Sequence, residues 1–242
     1  MVTLGAASGP VVVTATVPGT SLSARFSLFS LGTAEVPQAG IVNGASFLSG
    51  AASPGSIISI FGVNLAATAA AAQSLPLPIQ LAGTTVEIGG IAAPLFYVSS
   101  SQINAQVPVE LSGTSASLTV RNGASSSAPV TIFLRSAGPG IFTRASTGSG
   151  PGAITHASSQ LPVSAELPAS PGDFVQLFAT GLGRVSPAVS SGRPASSQPL
   201  SRTVSPVTVT MNGVPVLVAF SGLAPGFVGV YQVNTQVPEG IT

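Results

Sequence analysis

Lysine, cysteine and tryptophan are absent from this chain, and histidine and aspartate occur once each, as His156 and Asp173. Without cysteine there is no disulfide framework, no thiolate nucleophile and no Cys-built zinc or iron–sulfur centre. A single histidine excludes a His-rich metal site. A Ser-His-Asp triad would have to use His156 and Asp173, and no Gly-x-Ser-x-Gly elbow accompanies them. The absence of lysine also disqualifies Gly148-Ser149-Gly150-Pro151-Gly152 as a phosphate loop, which needs a Gly-Lys-Ser/Thr ending. Charge is scarce: seven arginines and six acidic residues leave a net charge of +1, too little to draw the chain onto nucleic acid. No Asp-rich loop offers the clustered oxygens that calcium requires. The five glutamates (35, 87, 110, 166 and 239) are scattered, and nothing in their spacing brings Glu87 and Glu110 together as a glycosidase pair. No catalytic, cofactor-binding or metal-binding residue is assigned.

Long apolar runs are lacking too. The longest, Ile57 to Ala72, is interrupted by Ser59, Gly62, Asn64 and Thr68, and it falls short of the roughly 20 residues of a spanning helix. No membrane span is expected. Disorder is opposed by the short, regular runs of Val, Ile, Leu and Phe, which can bury a core. Met1-Val2-Thr3-Leu4-Gly5 has no basic n-region, so no secretory leader is read there.

What the chain does contain, it states twice. Pro54-Gly55-Ser56-Ile57-Ile58-Ser59-Ile60-Phe61-Gly62-Val63-Asn64-Leu65 returns as Pro171-Gly172-Asp173-Phe174-Val175-Gln176-Leu177-Phe178-Ala179-Thr180-Gly181-Leu182. Each reads as a Pro-Gly turn, an apolar strand, a Gly-containing kink and a buried Leu. Gln102-Ile103-Asn104-Ala105-Gln106-Val107-Pro108 returns as Gln232-Val233-Asn234-Thr235-Gln236-Val237-Pro238. Two blocks in the same order mean a duplicated domain.

Residues 1–31 hold a hairpin: a β-branched run from Val11 to Val17, a Pro18-Gly19 turn and an alternating return from Ser23 to Phe29. Residues 32–40 read as a linker and 41–135 as the first unit. Within that unit Ala66 to Ala72 suits a helical turn or a plain loop equally well. Thr84 to Ile88 turns at Gly89-Gly90 and returns over Ile91 to Val98; its copy turns at Asn212-Gly213. Ser115 to Arg121, an Asn122-Gly123 turn and Ala128 to Leu134 close the first unit. The second unit, 136–242, has only four residues after Pro238 and is expected to be C-terminally incomplete, short of that closing hairpin. Short strands with a turn every 8–12 residues predict an all-β chain: two tandem immunoglobulin-like β-sandwich units preceded by a hairpin. That hairpin shares the rhythm of the first unit's closing strands, with Phe29 against Phe133. Three placements follow: the tail of an upstream repeat resting on the first unit, a graft that fills the second unit's gap in its own chain, or the same graft made between neighbouring molecules.

One polar feature is patterned. Gln102, Asn104 and Gln106 fall on one face of a strand, and Gln232, Asn234 and Gln236 repeat them. These amides either contact a glycan or peptide, or bond to loop backbones around Gly62 and Gly181. With no Trp and only Tyr97 and Tyr231, a sugar-stacking platform is thin.

Ile41-Val42-Asn43-Gly44-Ala45-Ser46-Phe47, Ala93-Pro94-Leu95-Phe96-Tyr97-Val98, Pro139-Gly140-Ile141-Phe142, Ala179-Thr180-Gly181-Leu182-Gly183 and Gly229-Val230-Tyr231-Gln232-Val233-Asn234 join the two duplicated blocks in an ordered set over residues 41–242. The set resembles the paralogous C-terminal domain of large exported proteins from Solibacter and related soil bacteria, a family without a known function. Pro54 through Leu65 is also similar to the opening of IPT/TIG domains, which implies an immunoglobulin-like fold. The resemblance implies a non-catalytic structural or adhesive module of a longer exported protein at the cell surface. Its partners would be the other domains of that chain and a cell-surface glycan or protein. A carbohydrate-binding module and a C-terminal export or anchoring domain are the alternatives. The family pattern continues past the last Gln-Val-Pro with a further strand pair and carries no catalytic residue to transfer.

Overall fold

The computed structural model describes residues 9–16, 18–30, 32–50 and 52–240. The reading of Met1 to Gly5 as lacking a leader, and Val17 within the hairpin run, lie outside the described residues. Apolar residues at every second position, punctuated by Gly-containing turns, give short strands whose alternate side chains point inward. The chain is accordingly all-β, with no α-helix among the described residues.

The hairpin is β1 (Gly9–Thr16) and β2 (Ser23–Ser30). The first unit comprises β3 (Ile41–Asn43), β4 (Ile57–Phe61), β5 (Ala70–Ala71), β6 (Thr84–Ile88) and β7 (Ile91–Ala92). It continues through β8 (Leu95–Val98), β9 (Gln102–Gln106), β10 (Ser115–Asn122), β11 (Ser125–Ser126) and β12 (Val130–Phe133). The second unit holds β13 (Gly140–Ile141), β14 (Ile154–His156), β15 (Phe174–Thr180), β16 (Val185–Ser186) and β17 (Arg202–Thr203). Its last strands are β18 (Val209–Met211), β19 (Val214–Val216), β20 (Val218–Leu223) and β21 (Tyr231–Gln236).

In the first unit a sheet ordered β3-β4-β9-β8-β5 faces a sheet ordered β11-β10-β6-β7, with β12 also paired to β10. Ile58, Ile60, Val86, Ile88, Leu95, Ile103, Leu118 and Val120 interlock between them, each at most 2% exposed. In the second unit β13, β14, β15, β21, β20, β17 and β16 form one sheet, and β18–β19 stands alone as a two-stranded sheet. The fold is thus two tandem immunoglobulin-like sandwich units preceded by a hairpin.

The duplication extends to irregularities. Gly55 and Gly172 both take the left-handed conformation that a Pro-Gly turn needs (φ +84° and +88°), each closed by an N–H to C=O bond three residues apart. The kink before the Leu is left-handed in both copies, at Asn64 (φ 56°) and at Gly181, although only Leu65 is buried and Leu182 is half-buried. A bulge interrupts β8–β9 between Leu95 and Tyr97, and another interrupts β20–β21 between Val218 and Phe220.

Four expectations change. Ala66 to Ala72 is neither a helix nor a plain loop, because Ala70–Ala71 pairs as β5 with Val98 and Tyr97 at the sheet edge. Only Ile91–Ala92 returns along β6; Ala93 and Pro94 then carry the chain across, and Leu95–Val98 joins the opposite sheet. The turn after β10 is centred on Gly123-Ala124, since Asn122 itself pairs with Ser125. Finally, β1 and β2 pair only with each other among the described residues, so the hairpin does not fill the second unit of its own chain.

Candidate functional site

Polar side chains that face inward cannot stay unbonded without cost, so their partners show what they do. The amide stripe lies on the face of β9 and β21 that points away from Ile103 and Val233. Gln102 Nε2–H donates to Asn104 Oδ1 at 2.9 Å, and Ser59 Oγ–H donates to the same oxygen at 3.0 Å. In the second unit Gln232 Nε2–H donates to Asn234 Oδ1 at 2.8 Å. Gln106 and Gln236 reach loop backbone, but at the Pro-Gly turns and not around Gly62 and Gly181. Gln106 Nε2–H donates to Gly55 O at 3.4 Å and Gln236 Nε2–H to Gly172 O at 3.0 Å. The stripe is therefore split: its last amide ties the turn that starts the neighbouring strand, and the first two bond to each other.

Gln106 also belongs to a larger arrangement that no local pattern announced, the seam between the units. Its Oε1 accepts the N–H of Gly192 at 2.7 Å. Next to it Ser191 Oγ accepts the N–H of Val109 at 2.9 Å and donates to Glu110 Oε2 at 2.7 Å. Leu77 N–H donates to Gly192 O at 2.8 Å. Thr180, fully buried at the end of β15, accepts the N–H of Ile57 at 2.9 Å and donates to Gly229 O at 2.8 Å. On the other side Asn43 Nδ2–H donates to Gly138 O at 3.0 Å. At Gly229 (φ +65°) a Cβ would stand 3.0 Å from both Gly55 O and Ile57 Cγ1, so only glycine lets the backbones meet there.

Electrostatics follow from this packing. Burial pushes the Glu110 carboxyl up, and the hydrogen bonds from Ser191 and from its own N–H outweigh that, leaving it below its ordinary 4.5. Tyr231 donates its hydroxyl proton to Gly183 O, and burial pushes the phenol up to about 12.

Three concavities flank these elements. A cleft of about 180 Å³ at the seam is lined by Val109, Val189, Leu223 and buried Tyr231, together with exposed Arg184 and Arg193. It is smaller than the roughly 300–1,000 Å³ typical of ligand pockets. A groove of about 480 Å³ in the first unit runs between β3 and β12, past Ile41, Leu48, Ile132, Phe133 and Arg135. A third, of about 260 Å³, brings His156, Ser158 and Asp173 together. There the His156 ring Nε2 is spent on Leu167 O at 3.2 Å, and Asp173 Oδ2 accepts the Ser170 N–H at 2.8 Å. Neither side chain bonds the other or Ser158 among the described residues. No group of three or more His, Cys, Asp or Glu that could hold a metal occurs among the described residues, and no described helix is long and apolar enough to cross a membrane.

The two facing sheets of the first unit define an immunoglobulin-like module. Residues 41–133 match the family model of the IPT/TIG domain, beginning with the first residue of β3 and ending with the last of β12. Such domains are common in extracellular and adhesive proteins and are generally non-catalytic. No curated protein matches the chain.

Proposed function

We propose that this chain is a non-catalytic structural and adhesive module of a larger bacterial protein exported to the cell surface, of the kind seen in the Solibacter-type C-terminal domains. The observation that carries the reading is the seam. Side chains and backbone from both units interlock through Gln106, Glu110, Ser191 and Thr180, so the pair behaves as one stiff body that can hold neighbouring domains apart. Its side-chain amides serve the fold: all six of the patterned Gln and Asn residues bond within the chain. The partners are the other domains of the parent protein and a protein at the cell surface, a glycan partner belonging to the carbohydrate-binding alternative.

The test is a screen of the purified chain against a glycan array and against ester, peptide and glycoside substrates. Neither turnover nor glycan retention is expected. Glycan retention lost in Asn104→Ala with unchanged thermal unfolding would make the chain a carbohydrate-binding module. Turnover abolished by His156→Ala would make it an enzyme. Fusion to an exported reporter separates the anchoring alternative: a reporter moved to the cell envelope would favour it.

A further inference from the structure

The cleft at the seam is built by both units: Gln106 and Val109 come from the first, Arg184, Val189, Arg193 and Leu223 from the second. Its polar side chains fall into two sets. Gln106 bonds the Gly55 carbonyl and the Gly192 N–H, and Tyr231 donates to Gly183 O. Arg184 and Arg193 are exposed, and their side chains make no hydrogen bond or ion pair among the described residues. Elsewhere Arg121 pairs with Glu87 at 3.8 Å, and Arg202 lies over the Phe220 ring at 4.9 Å. No acidic residue lines the cleft, and the carboxylate of Glu110, which follows Val109, is bonded to Ser191. Two uncompensated cations therefore share one concavity in a chain whose net charge is only +1.

The apolar lining sets the rest of the ligand. Val109, Val189 and Leu223 present surface that is better covered than left in water. The volume of about 180 Å³ is close to the roughly 150 Å³ cavity that takes up benzene, so it admits one phenyl or branched aliphatic group. A bare inorganic anion would leave that apolar surface wet. A neutral hydrocarbon would leave both guanidiniums without a counter-charge. A carboxylate suits them, because the planar guanidinium fork matches its two oxygens, and low-dielectric surroundings focus the field of the two cations.

We propose that the seam cleft binds a compact organic carboxylate, its phenyl- or leucine-sized group among Val109, Val189 and Leu223 and its carboxylate held by Arg184 and Arg193. Such a ligand touches both units at once, so its binding and the closure of the seam favour each other. The site goes beyond the module reading and does not rest on it.

Phenylacetate titrated into the full-length chain is the test. It is expected to bind saturably in the millimolar range or below and to shift the amide resonances of Gly183, Arg193 and Gly229. Phenylacetamide, which lacks the charge, and acetate, which lacks the apolar group, are each expected to bind at least about tenfold more weakly. The Arg184→Gln, Arg193→Gln double variant is expected to lose at least about tenfold in phenylacetate affinity with its melting temperature unchanged, since both side chains are exposed. N-acetylphenylalanine carries the same two groups as the last residue of a polypeptide, so comparing it with phenylacetate separates a polypeptide end from a free acid; binding of either supports the proposal. Equal affinity for phenylacetamide, undiminished binding in the double variant, or resonance shifts confined to residues away from the cleft would each overturn it, as would the absence of saturable binding by both acids.

Discussion

The two units carry the same strand-turn-strand core, yet they bury it unequally. In the first, nineteen buried apolar residues form one continuous cluster. In the second the described residues give two small clusters, of four and of three, ringed by half-buried Val163, Val207, Val209, Met211 and Val218. The difference traces to one hairpin. Where β10 and β12 cover β6, Leu118, Val120, Val130 and Ile132 complete the first core. Among the described residues no strand covers β18, and Leu217 and Val214 beside it are 61% and 48% exposed. The second unit is held to its neighbour by the seam. A unit with a thin core can thus be kept in shape by polar contacts to a well-packed one, provided those contacts are buried.

The sharpest way to break this comparison is to truncate equivalent core positions. Ile88→Ala is expected to destabilise by about 2–5 kcal/mol, because a fully buried side chain leaves a cavity. Met211→Ala should cost well under that, because its surroundings are already partly open. Urea unfolding of the two variants makes the measurement; equal costs would mean that the second core is closed.

The next effect is alkaline. Tyr231 has its phenol raised from 10.0 to about 12, so the neutral form is the one that suits the fold. Stability from this group is fully present below pH 10 and is lost as pH rises through about 12, by up to about 3 kcal/mol. Tyr231→Phe is expected to flatten the pH 10–12 limb of a melting-temperature profile.

Thr180→Val tests the seam. It leaves the Ile57 N–H and the Gly229 carbonyl buried without partners, at a cost of roughly 1–3 kcal/mol. Calorimetry is expected to show one transition in the wild type and two in the variant. The smallest effect is acidic. The depressed Glu110 carboxyl contributes stability above its unfolded value, and this fades as pH falls below 4.5 through its folded pKa; Glu110→Gln should remove that dependence.

Much of this was legible in the chain itself. The repeated Pro-Gly openings and the Gln-x-Asn-x-Gln strands mark β4, β15, β9 and β21, because strand period and turn chemistry are local properties. Gly89-Gly90 and Asn212-Gly213 marked the hairpins for the same reason. The crossing at Ala93-Pro94 was missed, since one apolar run serves strands in either sheet. The seam was missed more completely. Gln106 reaches Gly192, and Ile57 reaches Thr180, across loops more than eighty residues apart in sequence. Such pairs leave no periodic trace; only the doubled role of Gln106 and Gln236 at the Pro-Gly turns was open to inference from the repeat.

The unequal closure of the two cores is tested most directly by hydrogen exchange. Amides of β6 and β10 are expected to exchange only through global unfolding, whereas those of β18 and β19 exchange through local opening at far lower free energy. Protection of β18 and β19 equal to that of β6 and β10 would contradict the account.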